Sequence, residues 1–477
     1  MSPRKLPFTL YKLSLKSSIC LINSTCNNIE KVCDDYTQCE QMASLVKDYL
    51  VGALPASLFG DLCNERSLCY YYGDPRIQFQ IVTHPKQIVY KKCTLFDDSL
   101  THKFWIDAIP NFENLIILDL KFICTDEILE VIGRHCLLLR EINIVSKVDI
   151  NKSEINAYVL SRNVSDVGLQ HISKLKGLRI VTTDPPKNVQ MCRKGRCVSQ
   201  AGIVSLVSQL PLLEEIKIET CDIAATLIRH KADLAPLNLQ RIKYHLASPG
   251  SITDLAIICP HLKELSFFTH MDTDQNVLID NLTNTNLILT TINASFFAYS
   301  QSVRNLLSSK GYCLTHFAFA DTEKSLSTNT IIDIGKCCPQ LVSLNLLTTS
   351  HMFKAPKSAR PLFTKLKRLT IGSNNFDIEE ILSYFLNQAD ITELKIQYET
   401  KLNIDNVLLK LLAEGKLDNL CMLYLDFALD ISQPVIIQLI QSLNDLRKFT
   451  LQVPDDFDYK TYIRENNYQL VLNGTYC

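Results

Sequence analysis

Along most of the chain, apolar residues fall into a triplet, apolar-x-x-apolar-x-apolar, that returns at nearly constant intervals. It begins at Leu115 (with Leu118 and Leu120) and returns at Leu139, Leu175, Leu213, Leu239, Leu262, Leu289, Leu314, Leu341, Leu366, Ile391, Leu420 and Leu446, thirteen copies in all. The intervals are 24, 36, 38, 26, 23, 27, 25, 27, 25, 25, 29 and 26 residues, a regularity that chance matches in an apolar chain do not give. Alternation such as Leu118-Asp119-Leu120 predicts a short strand with one face buried. Between strands, residues 126–135, 201–210, 378–387 and 404–413 carry the i, i+3, i+4 spacing of one-faced helices. A unit of about 26 residues cannot bury enough apolar surface alone, so units must stack, strands in parallel on one side and helices on the other.

Within this pattern, Thr125-Asp126-Glu127-Ile128-Leu129 leads into Cys136-Leu137-x-Leu139-x-x-Ile142-x-Ile144. Cys259-Pro260-His261-Leu262-x-x-Leu265 and Cys338-Pro339-Gln340-Leu341-x-x-Leu344 repeat a Cys-Pro-x-Leu-x-x-Leu signature, with Cys313-Leu314 as a weaker version. These segments resemble the cysteine-containing leucine-rich repeats of ribonuclease-inhibitor-like proteins over roughly residues 90 to 460. The resemblance implies an α/β leucine-rich repeat solenoid, a horseshoe with a parallel concave sheet and convex helices, spanning 86–477 as about 13 repeats and a C-terminal cap. Leu210-Pro211 replaces the cysteine in one copy, so that position is a buried filler rather than a ligand.

Residues 1–85 stand outside the repeat, with helical stretches at 6–21 and 39–51. A solenoid needs its open end shielded, so this segment reads first as an N-terminal cap. A second reading comes from resemblance. Thr9, Leu10, Leu13 and Ser14 lie in Thr9-Leu10-Tyr11-Lys12-Leu13-Ser14, similar to the elongin-binding box of Zyg and Zer type substrate receptors of cullin-RING ubiquitin ligases, although Ser14 stands where cysteine is expected. Further on, Leu54, Pro55 and Leu58 match the cullin-contacting Leu-Pro-x-x-apolar element of the same group. An F-box also opens on Leu-Pro and often accompanies such repeats, which makes a Skp-type adaptor the second choice, but its later Val-Cys-x-x-Trp core is not found after Leu62.

Composition narrows the class. Lys plus Arg (49) nearly cancels Asp plus Glu (50), giving a net charge of −1 and no bulk case for nucleic acid or an anionic membrane. Eighteen cysteines among 477 residues, many inside apolar runs, read as free buried thiols rather than a disulfide framework. Lys12 and Lys16 interrupt what would be a signal-peptide core, and no apolar run is long enough for a membrane span. Sequons at Asn23, Asn151, Asn163, Asn281, Asn293 and Asn473 are therefore expected to be unused, and the protein is expected in the cytoplasm or nucleus.

No catalytic or phosphate-binding motif is found, and no cofactor or metal site is expected. His135 beside Cys136 falls at a helix-to-strand junction and reads as structural. The two long intervals place extra residues in loops, the second carrying Cys192-Arg193-Lys194-Gly195-Arg196-Cys197, a basic loop with too few ligands for structural zinc.

What remains is recognition. Residues alternating with the buried strand positions would line the concave face: Asp119, Lys121, Glu141, Asn143, Arg179, Glu215, Lys217, Glu219, Arg241, Lys243, His245, Glu264, Ser266, Phe268, Asn293, His316, Asn345, Arg368, Thr370, Glu393, Lys395, Tyr424, Asp426 and Lys448. Eight cations meet seven anions there, which fits a protein partner better than nucleic acid. The partner-binding candidates are Lys217, Arg241, Lys243, His245, Glu264, Phe268, His316, Arg368, Lys395 and Tyr424, with the densest patch around Arg241. Two functions follow. One is a non-catalytic substrate receptor with a target on the concave face and an elongin-type or Skp-type adaptor on the N-terminal segment. The other is a leucine-rich scaffold or inhibitor with no ligase link.

Overall fold

The structure, a computed structural model, describes residues 10–55, 58–59, 61–62, 75–84, 86, 89–91, 102–112, 114–121, 123–145, 149–150, 160–161, 164–183, 198–218, 222–244, 250–268, 274–295, 298–321, 327–348, 361–373, 378–397, 402–426, 429–451 and 471–473. The chain separates into two compact units, Phe8–Ile242 and Lys243–Cys477.

In the first unit, helices α1 (Leu10–Val32) and α2 (Tyr36–Ala53) precede α3 (Pro75–Val82). Helix α1 buries Leu15, Ile19, Ile22, Cys26 and Ile29, a stripe at three- and four-residue spacing. Asp35 starts α2 by accepting the Gln38 N–H. Helix α3 is tied to α1 by Gln78 Nε2 donating to Asn23 Oδ1 at 2.6 Å, and Arg76 lies over the Tyr36 ring at 3.7 Å. Phe79 of α3 meets Tyr90 of strand β1 (Val89–Lys91), Trp105 of helix α4 (His102–Ala108), and Phe112 in edge-on contacts. The N-terminal helices thus reach the start of the sheet through an aromatic cluster.

The sheet then runs parallel through β1, β2 (Ile117–Asp119), β3 (Glu141–Asn143), β6 (Ile180–Thr183), β7 (Glu215–Ile218) and into β8 (Arg241–Tyr244). A short antiparallel pair, β4 (Asp149–Ile150) with β5 (Leu160–Ser161), occupies the first long interval. Helices α5 (Asp126–His135), α6 (Asp166–Ile172), α7 (Gln200–Gln209) and α8 (Ile223–Arg229) alternate with these strands.

The second unit continues with β9 (Glu264–Phe268), β10 (Thr291–Ser295), β11 (His316–Asp321), β12 (Ser343–Thr348), β13 (Arg368–Ser373), β14 (Glu393–Gln397), β16 (Met422–Leu425), β18 (Lys448–Thr450) and β19 (Val471–Asn473), all parallel in that order. Its helices are α9 (Ser251–Ile258), α10 (Gln275–Thr283), α11 (Gln301–Lys310), α12 (Thr328–Cys337), α13 (Ile378–Leu386), α14 (Asp405–Ala413) and α15 (Gln433–Ser442). A two-residue pair, β15 (Leu402–Asn403) with β17 (Leu429–Asp430), lies outside this sheet. The register stacks the second apolar position of each copy, as in Ile292, Phe317, Leu344, Leu369, Leu394, Leu423 and Phe449. All seven are buried, and burial of such side chains at about 1.5–3 kcal/mol each supplies the driving force. Both units are therefore an α/β leucine-rich repeat solenoid.

Three details differ from the sequence pattern. The copy read at Leu175 is displaced by three residues, because β6 pairs Val181 with Ile142 and Ile216. The true triplet is Leu178, Val181 and Thr183, all buried, and Thr183 hides it by standing where the others carry an apolar residue. The intervals flanking Leu178 become 39 and 35 residues. The second difference is one further strand at each end: β1 places Tyr90 beside Leu118, and β19 places Leu472 beside Phe449. Their third positions, Lys92 and Gly474, are not apolar, so the triplet does not register them.

The third difference concerns cysteine. Cys136, Cys259 and Cys338 each end a helix and accept the N–H of the leucine three residues on. In the copy at Leu314 that place belongs to Gly311, so Cys313 is not the equivalent residue. A methyl group on Gly311 would press against the Cys337 carbonyl and Cys338 Sγ, so only glycine fits. Among the described residues Gly415 is the single glycine with positive φ, in the turn after α14, which accounts for how little glycine the fold uses.

Candidate functional site

In each strand the residues that alternate with the buried positions are the more exposed ones, and they form the open face of the sheet. In the first unit Glu215 is held between Arg241 Nε at 2.8 Å and Lys217 Nζ at 3.7 Å. The single carboxylate is shared by the two cations. Arg179 is exposed but precedes β6, pairing with Glu214 at 3.2 Å; the displaced register puts Ile180 and Thr182 on the open face instead. Lys243 is exposed, His245 and Glu219 lie outside the described residues, and so does the Phe268 side chain. Of the patch predicted around Arg241, only Arg241, Lys243 and Glu264 have described side chains.

The second unit gathers the remaining candidates. A cleft of about 250 Å³ opens on the sheet, with Arg368, Glu393, Met422 and Lys448 in one row and Thr370, Lys395, Tyr424 and Thr450 in the next. Lys395 Nζ sits 4.4 Å from the centre of the Tyr424 ring. Burial, followed by the nearby Asp426 charge, pushes the Tyr424 hydroxyl pKa up.

His316 stands beside this cleft, with Arg368 Nη2 donating to its Nε2. Arginine has no acceptor, so Nε2 is unprotonated and the proton sits on Nδ1, which faces Thr315 Oγ1 at 2.8 Å. Thr315 in turn donates to the Thr290 carbonyl at 3.1 Å. Burial and then the Arg368 charge hold the His316 pKa below its usual value, against a smaller opposing pull from Glu264.

At the N-terminus, Leu10, Leu13 and Ser14 fall in the first turns of α1. Thr9 and the side chains of Leu10 and Leu13 lie outside the described residues, whereas Ser14 is exposed. Leu54 closes α2 through its N–H to the Leu50 carbonyl; Pro55 is exposed, and its carbonyl accepts the Leu58 N–H. The periodic pattern did not single out the outer stripe of α2, where Met42, Leu45 and Tyr49 are 43%, 65% and 75% exposed at spacings of three and four. Sequence alone marks these positions only as the second apolar face of a helix already amphipathic.

The cysteine beside His135 lies in the core. Cys136 is buried and its thiol is pushed up to about 12 by burial, as are Cys259 and Cys338, while an activated cysteine needs the opposite shift. Among the described residues no group of three or more His, Cys, Asp or Glu is placed to hold a metal ion, and no helix is long and apolar enough to cross a membrane. The Cys192 to Cys197 loop lies outside the described residues.

No family model matches the chain, and no curated protein matches it. Solved structures do. The chain is similar to the crystal structure of the Rad7 and Elc1 complex in yeast, at 14% identity over 98% of both chains with a TM-score of 0.45. It is similar to a leucine-rich repeat protein of Leptospira interrogans at 14% identity over 78% of this chain and 92% of the other, TM-score 0.29. A third similarity is to the leucine-rich repeat-containing protein LegL7 from Legionella pneumophila, 12% identical over 79% and 95%, TM-score 0.29. The fold assignment rests on the chain's own strand ladder.

Proposed function

We propose that this protein is a non-catalytic recognition subunit: the open face of its sheet captures a protein target, and its N-terminal helices dock an elongin-type or Skp-type adaptor of a cullin-RING ubiquitin ligase. The observation that carries target capture is the sheet cleft in the second unit, where charged and aromatic side chains converge on a rigid ladder of buried leucines. Interfaces draw most of their energy from a few Arg and aromatic anchors of that kind.

Adaptor docking is supported by what the N-terminal segment leaves over. Phe79 of α3 packs edge-on against Tyr90 of β1 while Gln78 ties α3 to α1, the arrangement a cap would need. Met42, Leu45 and Tyr49 remain exposed on α2, close in sequence to Leu54, Pro55 and Leu58. A cytoplasmic or nuclear location belongs to the same proposal.

Affinity capture from native cells tests it. An adaptor and a cullin should co-purify and be lost from Leu10→Asp/Leu54→Asp and from Leu45→Asp/Tyr49→Asp. The second pair replaces exposed side chains and should leave the thermal melt unchanged. Capture of a target with no adaptor or cullin from the wild-type chain would overturn the ligase reading and leave a scaffold.

A further inference from the structure

We propose that the cleft in the second unit is selective for acidic partners: it receives aspartate or glutamate side chains of an extended protein segment laid across β13 to β18. This rests on target capture by the open face and names the chemistry of the target. Arg368, Lys395 and Lys448 enter the cleft from three strands, and Glu393 is the only carboxylate lining it. Among the described residues none of the three cations has a carboxylate within ion-pair distance. Arg368 is bonded to neutral His316, Lys395 lies against the Tyr424 ring, and Lys448 is exposed.

The contrast with the first unit is what gives this weight. There the open-face cations Arg241 and Lys217 are both spent on Glu215. Here Arg368 and Lys395 are held in place by uncharged neighbours, which orients them without satisfying their charge. Four neighbouring strands at about 4.8 Å spacing span roughly 14 Å, the reach of four or five extended residues. An acid at each end would meet Arg368 and Lys448, and the residues between would cross Met422 and Tyr424.

The probe is a fluorescein-labelled hexaglutamate peptide titrated with the full chain at low ionic strength and followed by fluorescence anisotropy. Hexaglutamate should bind saturably and hexaglutamine should not. Arg368→Gln/Lys448→Gln should weaken binding by about tenfold, and Lys448→Gln alone, at an exposed position, by about threefold. Lys103→Gln/Lys336→Gln, which removes the same charge from exposed helix positions, should bind like wild type. Hexaglutamate binding no tighter than hexaglutamine, equal loss in both double variants, or displacement by an oligothymidylate that binds more tightly would each overturn the proposal. A native target whose capture is lost with Arg368→Gln/Lys448→Gln while hexaglutamate fails to bind would overturn acid selectivity and leave target capture standing.

Discussion

At the residue scale, carboxylates tie one repeat to the next. Asp126, in the first turn of α5, accepts the Ser165 N–H at 2.8 Å, the Ser165 hydroxyl at 2.6 Å and the Gly168 N–H at 3.1 Å, all at the start of α6. Asp166 does the same for Ser199, and Asp405 for the Ser432 N–H. Each acid orders the N-cap of the following helix, where positive dipole and orphan N–H groups gather. Asp126→Ala should cost about 2–3 kcal/mol, seen as a lower urea midpoint. Gly168→Ala should be comparably damaging, because the new methyl group would strike Asp126 Oδ1 and Leu129 Cδ1. The double variant should fall short of the sum, since losing Asp126 clears part of the space; strict additivity would count against the staple. His316 supplies a pH signal. Its folded pKa lies below the ordinary value of about 6.5, so the unfolded chain takes the proton first. The stability this histidine contributes is complete above pH 6.5 and is lost as pH falls towards the depressed value. Wild type should melt lower at pH 5 than at pH 7.5, and His316→Gln should show a shallower decline, part of it persisting because His84 is shifted the same way by burial, then Lys86 and Lys47. An equally steep decline in the variant would count against His316.

At the element scale, strands and helices were legible wherever both alternating positions were apolar. Twelve of the thirteen triplets coincide with buried strand positions, and residues 126–135 form α5 as the spacing predicts. The exception shows how a period is misread. Leu175 fills the place that Cys136 fills in its own repeat, each accepting an N–H from the residue three further on, so Leu175, Leu178 and Ile180 imitate a triplet. The backbone settles the register: Arg140, Arg179 and Glu214 each accept two successive N–H groups from the next strand. Ile180 is therefore on the open face and Val181 in the core. Val181→Ala should cost about 2 kcal/mol and Ile180→Thr under about 0.5 kcal/mol, by thermal melting. The triplet as read from sequence demands the reverse order. The candidate site was less legible, because a strand's outward residues carry no pattern of their own. Arg368, Lys395 and Tyr424 could be placed on one face, but the pairing of Arg241 with Glu215, which removes it from the free cations, depends on side-chain geometry.

At the scale of the whole molecule, the corrected register changes the charge count. Removing Arg179 from the open face, and leaving out Glu219, which lies outside the described residues, gives seven cations, Lys121, Lys217, Arg241, Lys243, Arg368, Lys395 and Lys448, against six anions, Asp119, Glu141, Glu215, Glu264, Glu393 and Asp426. With seven cations against six anions, the described positions carry almost no net charge, on a chain of net charge −1, and exert little long-range pull on a polyanion. Whatever binds must gain its energy locally, as at the cleft of Arg368, Lys395 and Lys448, over distances no longer than the roughly 8 Å Debye length at physiological salt. Nucleic acid is the sharpest test of this, because its affinity comes chiefly from phosphate contacts and falls steeply with salt. A labelled 30-base-pair duplex should show no shift in native gels with micromolar protein at 150 mM salt, and any binding at low salt should vanish well below that concentration. Retention of the duplex at 150 mM salt would mean that residues beyond the described faces carry a basic surface that the balance on the sheet does not represent.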